Sequence, residues 1–378
     1  MHNHRAIAIV LGLLALLHMY IGLRLIPAIG LVGFGWALAV AFLMASTILL
    51  PAGLVATRVR KGDLADLLSW IGMLTMGLFS SLLVLTFLRD LLLLVLSVAG
   101  LADTETVHAS AVAVPLLALG VTVVGFFNAR RTARVVEVDV PIRDLPAALH
   151  GYSIVQISDV HVGPTIKRRY IDAIVDRVNA LEPDAIAVTG DVVDGSVRRL
   201  AAHTAPLARL AARDGAFFVT GNHEYYSGAH EWIEEMRRLG LRVLLNEHVV
   251  CERAGEGVMI AGVADYSAHH FDASHRSDPH KAAAGAPDHV RVRVLLAHQP
   301  RSAPAAADAG FDLQLSGHTH GGQFFPWNLF VPLQQPFTAG LNKLRDLWVY
   351  TSRGTGYWGP PKRFGAPSEI TRVRLVRA

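Results

Sequence analysis

Gly317-His318-Thr319-His320-Gly321-Gly322-Gln323 decides the reading of this 378-residue chain. It follows Phe311-Asp312-Leu313-Gln314-Leu315, in which polar and apolar residues alternate as in a strand. Two imidazoles two positions apart, flanked by glycines, read as a loop at a strand end, and the glycines leave room for a group to approach the backbone. Four clusters upstream repeat the arrangement. Val155-Gln156-Ile157-Ser158 runs into Asp159-Val160-His161, and Ala185-Ile186-Ala187-Val188-Thr189 into Gly190-Asp191-Val192-Val193-Asp194. Ala216-Phe217-Phe218-Val219-Thr220 runs into Gly221-Asn222-His223-Glu224, and Val292-Arg293-Val294-Leu295-Leu296 into Ala297-His298. In sheet enzymes such residues converge in the crevice outside the carboxyl ends of the strands. Oxygen and imidazole donors without cysteine suit manganese, iron, zinc or magnesium rather than a thiolate-bound metal. Two such ions about 3.5–4 Å apart, sharing a carboxylate, form the clamp used to hydrolyse phosphate esters.

The ordered set Asp-x-His, Gly-Asp-x-x-Asp, Gly-Asn-His-Glu, an isolated His and Gly-His-Thr-His resembles the calcineurin-like metallophosphoesterase superfamily. Gly-His-Thr-His-Gly-Gly-Gln and the late run Arg363-Phe364-Gly365-Ala366-Pro367-Ser368-Glu369-Ile370 are similar to a bacterial membrane-associated branch. That branch includes enzymes resembling UDP-2,3-diacylglucosamine pyrophosphate hydrolases. The resemblance covers residues 150–378 and implies an α/β fold, a layered sandwich of mixed sheets flanked by helices. By its pattern Asp159, His161, Asp191 and His320 hold one divalent ion, and Asp191, Asn222, His298 and His318 the other, with Asp191 bridging. Manganese is the favoured metal, with iron, zinc and magnesium as alternatives. His223 stands beside the transferring phosphoryl group, where it stabilises charge or protonates the leaving oxygen. Glu224 orients or caps. Asp194 is expected to support the site by hydrogen bonding a histidine. Arg353, Lys362 and Arg363, in a late run rich in glycine and aromatics, are candidates for contacts to substrate phosphate or to the membrane face.

Composition bounds the rest. The chain is 52% hydrophobic and 17% charged, with mean hydropathy +0.37, too apolar for a purely soluble enzyme of this size. The sequence pI near 9.3 comes from scattered cations, many flanking apolar segments, which suits anionic headgroups or a phosphorylated substrate better than nucleic acid. A single cysteine, Cys251, excludes an intrachain disulfide.

The first third is membrane in character. Residues 6–23, 31–50, 67–88 and 111–127 are four apolar stretches near the roughly 20 residues a spanning helix needs, and 91–98 continues the third beyond Arg89-Asp90. Arg58, Arg60 and Lys61 follow the second stretch and Arg130, Arg131 and Arg134 the fourth, whereas Asp103 and Glu105 occupy the link between the third and fourth. This bias predicts both termini, and catalysis, on the cytoplasmic side of a bacterial inner membrane. Arg24 weighs against it, and Arg89 is expected to snorkel to an interface. Gly30, Gly33 and Gly35 offer a small-residue face for helix packing, within one subunit or between two.

We place the boundary between the transmembrane region, residues 1–134, and the phosphoesterase domain, residues 135–378, with 135–140 as its first strand. Helical spacing predicts helices over residues 168–181, 198–212 and 229–239. The segment 264–280 is dense in His and Asp, as a cradle for substrate, an extra metal site or a solvated insertion would be. Trp327, Phe330 and Leu333, with Pro326 and Pro332, form an apolar loop suited to an acyl chain or a membrane interface, or to packing as filler. The reading is a membrane-anchored two-metal hydrolase of a phosphodiester or pyrophosphate bond in a lipid-linked or nucleotide-linked substrate such as a UDP-acylsugar. A phospholipid phosphodiesterase or broad phosphatase is the alternative. A nuclease lacks the continuous basic groove it needs, and a relic scaffold would lack ligands.

Overall fold

The computed structural model describes residues 2–59 and 62–378. The chain divides into two compact units, Met1–Phe127 with Gly359–Lys362, and Asn128–Trp358 with Arg363–Ala378.

Among the described residues of the first unit, helices α1 (His2–Ile29), α2 (Gly33–Val59), α3 (Asp63–Val98) and α4 (Thr104–Arg130) are each long and apolar enough to cross a membrane. Each extends beyond the apolar stretch that marks it in the sequence. Arg24 remains inside α1, where its guanidinium pairs with Asp90 at 2.8 Å and Tyr20 donates to the same carboxylate at 2.7 Å. Arg89 does not snorkel. It is buried and donates to the Val107 carbonyl (2.9 Å) and Ser110 Oγ (3.0 Å). The 36 residues of α3 are continuous through Arg89-Asp90. Helix contact is not made at Gly30 or Gly33, where an added Cβ would meet nothing, but at Gly53 and Gly72, whose Cα atoms leave no space for a side chain. Arg60 and Lys61, on which the topology expectation leans, lie outside the described residues.

The second unit begins in the last turn of α4, where Ala129 joins the core and Arg130 donates to the Thr165 carbonyl. Strand β1 (Arg134–Ile142) carries Pro141 at the edge of its sheet, the place where a missing N–H is tolerated. Then come β2 (Ser153–Ile157), α5 (Arg168–Asn179), β3 (Ala185–Val188), α6 (Val197–Thr204), β4 (Ala216–Phe218), α7 (Asn222–Ser227), α8 (Ala229–Arg238) and β5 (Arg242–Val243). The chain continues through β6 (Glu247–Arg253), β7 (Glu256–Gly262), α9 (Pro279–Ala283), β8 (Val290–Leu296), α10 (Ala303–Asp308), β9 (Leu313–Ser316), β10 (Gly340–Leu344), β11 (Leu347–Thr351) and β12 (Glu369–Arg377). The helix expected over 198–212 stops at Thr204, because Pro206 imposes a tighter turn that ends at Arg209.

Two mixed six-stranded sheets result, ordered β1-β12-β2-β3-β4-β5 and β10-β11-β9-β8-β7-β6. Strands β2, β3 and β4 are mutually parallel, as are β7, β8 and β9. Strand alternation decides the layers. Ile154, Ala187 and Phe217 of the first sheet meet Ile260, Val294 and Leu315 of the second in a shared core. The opposite faces carry Val155, Ile186 and Phe218 against α5 and α8, and Met259, Ala261 and Leu295 against α10. Helix α5 buries Ile171, Ile174, Val175 and Val178, the stripe its spacing predicts. Cys251 is buried in β6, and burial pushes its thiol up to about 11. The layering puts the carboxyl ends of β2, β3, β4, β8 and β9 at one edge.

Candidate metal centre

Each expected donor follows one of those five strand ends. Asp159 and His161 lie past β2, Asp191 past β3, Asn222 and His223 at the start of α7 past β4, His298 past β8, and His318 and His320 past β9. Their side chains form two neighbouring groups, Asp159–His161–His320 and Asp191–His298–His318, each with donor atoms within 4.8 Å of one another. His161 Nε2 is 3.0 Å from His320 Nε2, and His318 Nδ1 is 3.3 Å from His298 Nε2. Asp191 Oδ2 lies 3.0 Å from His298 Nε2.

The backbone is strained where these groups attach. Asp159, His161, Asp191, His318 and His320 have φ of 54°, 55°, 52°, 70° and 51°. A left-handed non-glycine residue costs about 1–3 kcal/mol and persists only where its surroundings enforce it. Two glycines make room for the carboxylates: a Cβ on Gly221 would overlap Asp191, and one on Gly317 would overlap Asp159.

Neighbours orient several of the donors. Glu224 is fully buried and accepts the N–H of Gly221 (2.7 Å), Asp191 (2.9 Å) and Val192 (2.8 Å), which locks the Asp191 loop onto α7. Asp194 Oδ1 faces His161 Nδ1 at 3.1 Å and His223 Nδ1 at 2.6 Å, turning both Nε2 atoms inward. His298 Nδ1 faces the Thr189 carbonyl at 2.7 Å. The Asp159 carboxylate accepts the His318 N–H at 2.9 Å.

Electrostatics separates the two buried aspartates. Burial, with the charge of Asp191, pushes the Asp159 carboxyl up; burial acts on Asp191 too, but His298 and His223 pull it well down. Burial and the charge of His298 lower His318 to about 3, and burial and the Arg363 guanidinium lower His320, so both imidazoles are neutral with lone pairs to offer. Burial lowers His223, yet Asp191 and Asp194 outweigh it and raise its pKa to about 9.

The donors fit a pair of divalent ions. Asn222 Oδ1 is buried without a hydrogen-bond partner among the described residues, a costly state for an acceptor unless a cation faces it. Neutral imidazoles, carboxylates and one carbonyl form the hard-to-borderline shell such ions take.

The late cations part company. Arg363 is fully buried. It donates to His320 Nδ1 (3.0 Å) and the His320 carbonyl (3.0 Å), so it braces the loop rather than meeting substrate. Arg353 pairs with buried Glu369 at 3.1 Å. Lys362 departs from the expectation of a site or substrate contact. It belongs to the helical unit, where its buried ammonium donates to the Gly77 carbonyl at 2.9 Å and to Ser81 Oγ.

Tyr226 and Trp358, not singled out in the sequence, flank His223 with ring centroids 5.3 and 5.7 Å away. Tyr226 stands three residues beyond His223 on α7, a spacing that marks one helix face. Trp358 belongs to the late run of glycine and aromatics that also carries Arg353, Lys362 and Arg363.

Two stacked mixed sheets with this donor set at their strand ends define a metallophosphoesterase fold. The chain belongs to the calcineurin-like metallophosphoesterase family, whose calcineurin-like phosphoesterase model matches residues 152–322. A transmembrane protein with metallophosphoesterase domain from Bos taurus is 41% identical over 281 residues, 70% of this chain and 63% of that protein. Its Danio rerio counterpart is 38% identical over 275 residues, again 70% of this chain and 63% of that protein. A metallophosphoesterase of Aquifex aeolicus (strain VF5) is 32% identical over 224 residues, 59% of this chain and 84% of that protein. The chain thus spans 63% of the length of the two vertebrate relatives.

Proposed function

We propose that this chain is a membrane-anchored phosphoesterase that hydrolyses a phosphodiester or pyrophosphate bond in a lipid-linked or nucleotide-linked substrate, a UDP-acylsugar being the type. The observation that carries the hydrolytic part is the meeting of six donors in two groups of three, with the Asn222 carbonyl buried and without a hydrogen-bond partner among the described residues. Asp159, His161, Asp191 and His320 would hold one ion, and Asp191, Asn222, His298 and His318 the other. Two divalent ions, manganese by preference, supply an acidified water and Lewis acidity toward the phosphoryl oxygens.

The chain's own groups do the rest. Asp191, grouped with His298 and His318, would be shared between the two ions and offset part of their charge. His223 is fixed through Nδ1 by Asp194, leaving Nε2 inward at 4.0 Å from Asp191 Oδ2. When protonated it would give its Nε2 proton to the oxygen that leaves phosphorus as the P–O bond to that oxygen breaks, while water adds its oxygen to phosphorus and releases a proton to solvent. Tyr226 and Trp358 restrict that imidazole to one plane.

The lipid part rests on the apolar loop. Leu329 is 61% and Leu333 81% exposed, and Phe325, Trp327 and Phe330 stand out beside them. Such a surface suits acyl chains or the membrane boundary. Four helices of spanning length, and relatives described as transmembrane, support a multi-pass anchor. Arg130 at the end of α4, with Arg131 and Arg134 beyond it, favours a cytoplasmic catalytic domain at the bacterial inner membrane.

The test is phosphate or nucleotide release by detergent-solubilised, manganese-loaded protein offered a UDP-acylsugar, a phospholipid and an aryl phosphodiester. Asp191→Asn and His223→Ala are the controls. Rapid cleavage of the UDP-acylsugar alone, lost in both variants, is the expected result. Equal slow cleavage of all three removes the substrate assignment, and cleavage of none by the ion-loaded protein removes the proposal.

A further inference from the structure

A second cluster of ligand-competent side chains lies apart from the strand ends. His230, near the start of α8, meets Asp272 and His275 of the 264–280 segment, with one donor atom of each within 4.8 Å of the other two. His230 Nε2 is 3.1 Å from Asp272 Oδ2, and the His230 and His275 rings are 5.1 Å apart. We propose that His230, Asp272 and His275 form a third metal site, which takes a divalent cation of the zinc class.

The donor set is the first argument. Two imidazoles and one carboxylate are a common three-ligand zinc shell that leaves a fourth position for water. Tetrahedral bonds near 2.0–2.1 Å place neighbouring donors about 3.3 Å apart, and the His230–Asp272 separation is already there.

Outer contacts are the second. Asp272 Oδ1 is occupied by the Ser274 N–H (2.9 Å) and hydroxyl (2.6 Å), which leaves Oδ2 to face His230. The Tyr225 hydroxyl lies 2.8 Å from His275 Nδ1, which leaves Nε2 for a metal. Ligating histidines are usually held in this way through the other ring nitrogen.

A surface ion pair explains less. One histidine would serve Asp272, and such exposed pairs contribute little. The second imidazole, set beside the first, adds only like charge when both are protonated; a shared cation makes both useful.

The site would fasten the 264–280 segment to α7 and α8. Phe271, next to Asp272, packs 5.6 Å from Tyr226, whose ring flanks His223. The third ion therefore steadies the aromatic wall of the catalytic pocket without touching the reacting atoms.

The full chain in detergent, dialysed to equilibrium against zinc, tests this by metal analysis and amide hydrogen exchange. His230→Ala and His275→Ala should each lose one zinc equivalent relative to the wild type, and exchange should quicken over residues 266–278. Asp191→Asn, which strikes the other centre, should leave that exchange unchanged. Equal zinc content in the wild type and both histidine variants overturns the proposal. So does an extra equivalent that survives both substitutions.

Discussion

Glu224→Gln tests whether a buried side chain that touches no substrate holds the bridging carboxylate in place. Its Oε2 accepts from Gly221 and Asp191 and its Oε1 from Val192, all at 2.7–2.9 Å. Burial and the charge of Asp191 press its pKa up, while the backbone N–H groups of Gly221 and Val192 pull it back toward the carboxylate, which accepts on both oxygens. Glutamine has the same length. Its carbonyl can keep the Gly221 and Asp191 bonds, which turns its amide, a donor, against the Val192 N–H. One charge-assisted bond, about 1.5–3 kcal/mol, is lost, and a buried N–H is orphaned at roughly 1–3 kcal/mol more. A total of about 2.5–6 kcal/mol falls within the stability of a typical domain, around 5–15 kcal/mol, so the variant is expected to fold. The Gly190–Val192 turn, however, no longer holds Asp191 against its strain. If about 2 kcal/mol of that cost falls on the ion-bound state, manganese binds roughly 30-fold more weakly. Titration calorimetry with manganese, and thermal melts with and without it, measure both halves. Excess manganese should restore much of the turnover of an aryl phosphodiester. Glu224→Ala, which orphans three N–H groups, should melt far lower. Wild-type manganese affinity in Glu224→Gln would refute the reasoning.

Three further outcomes are expected. Asp194→Asn turns an acceptor into a mixed group before His161 and His223 at once, so turnover should fall about 10–100-fold with little change in KM; an altered KM at constant kcat would contradict that role. Leu329→Ser combined with Leu333→Ser should raise KM about tenfold for a vesicle-borne substrate while leaving a soluble aryl ester unaffected, and an equal effect on both would remove the loop from lipid contact. Gly72→Val forces a side chain against Gly53 and should lower the melting temperature in detergent by an overpacking cost of about 1–3 kcal/mol; an unchanged melt would mean the two helices separate freely.

The candidate centre was legible because its chemistry is local. Each donor stands within a few residues of a strand end, and glycines that must yield space to Asp159 and Asp191 are written beside them as Gly317 and Gly221. The parallel order of β2, β3 and β4 follows from strand–helix alternation in the same way. What distance decides was not legible. Glu224 reads as an acidic residue in the first turn of a helix, and only the approach of Asp191 and Val192 from another strand end makes it a clasp. His230 is one exposed histidine on α8 until the 264–280 segment sets Asp272 and His275 beside it.

Lys362 and Arg363 show the same limit at two adjacent positions. Both are cationic and both lie in a run of glycine, proline and aromatics, so any local rule assigns them one role. Yet Lys362 is satisfied by the Gly77 carbonyl and Ser81 of the helical unit, and Arg363 by the carbonyls of His320, Arg353 and Gly356 in the catalytic unit. A buried cation is stable only where enough acceptors converge, and those acceptors come from segments far apart in the chain. Lys362→Arg would need five donors satisfied where two acceptors and a distant hydroxyl serve three, whereas Arg363→Lys would leave several carbonyls without a donor. The two positions are therefore not interchangeable despite equal charge, and it is the acceptor set, not the charge, that fixes which residue stands at each.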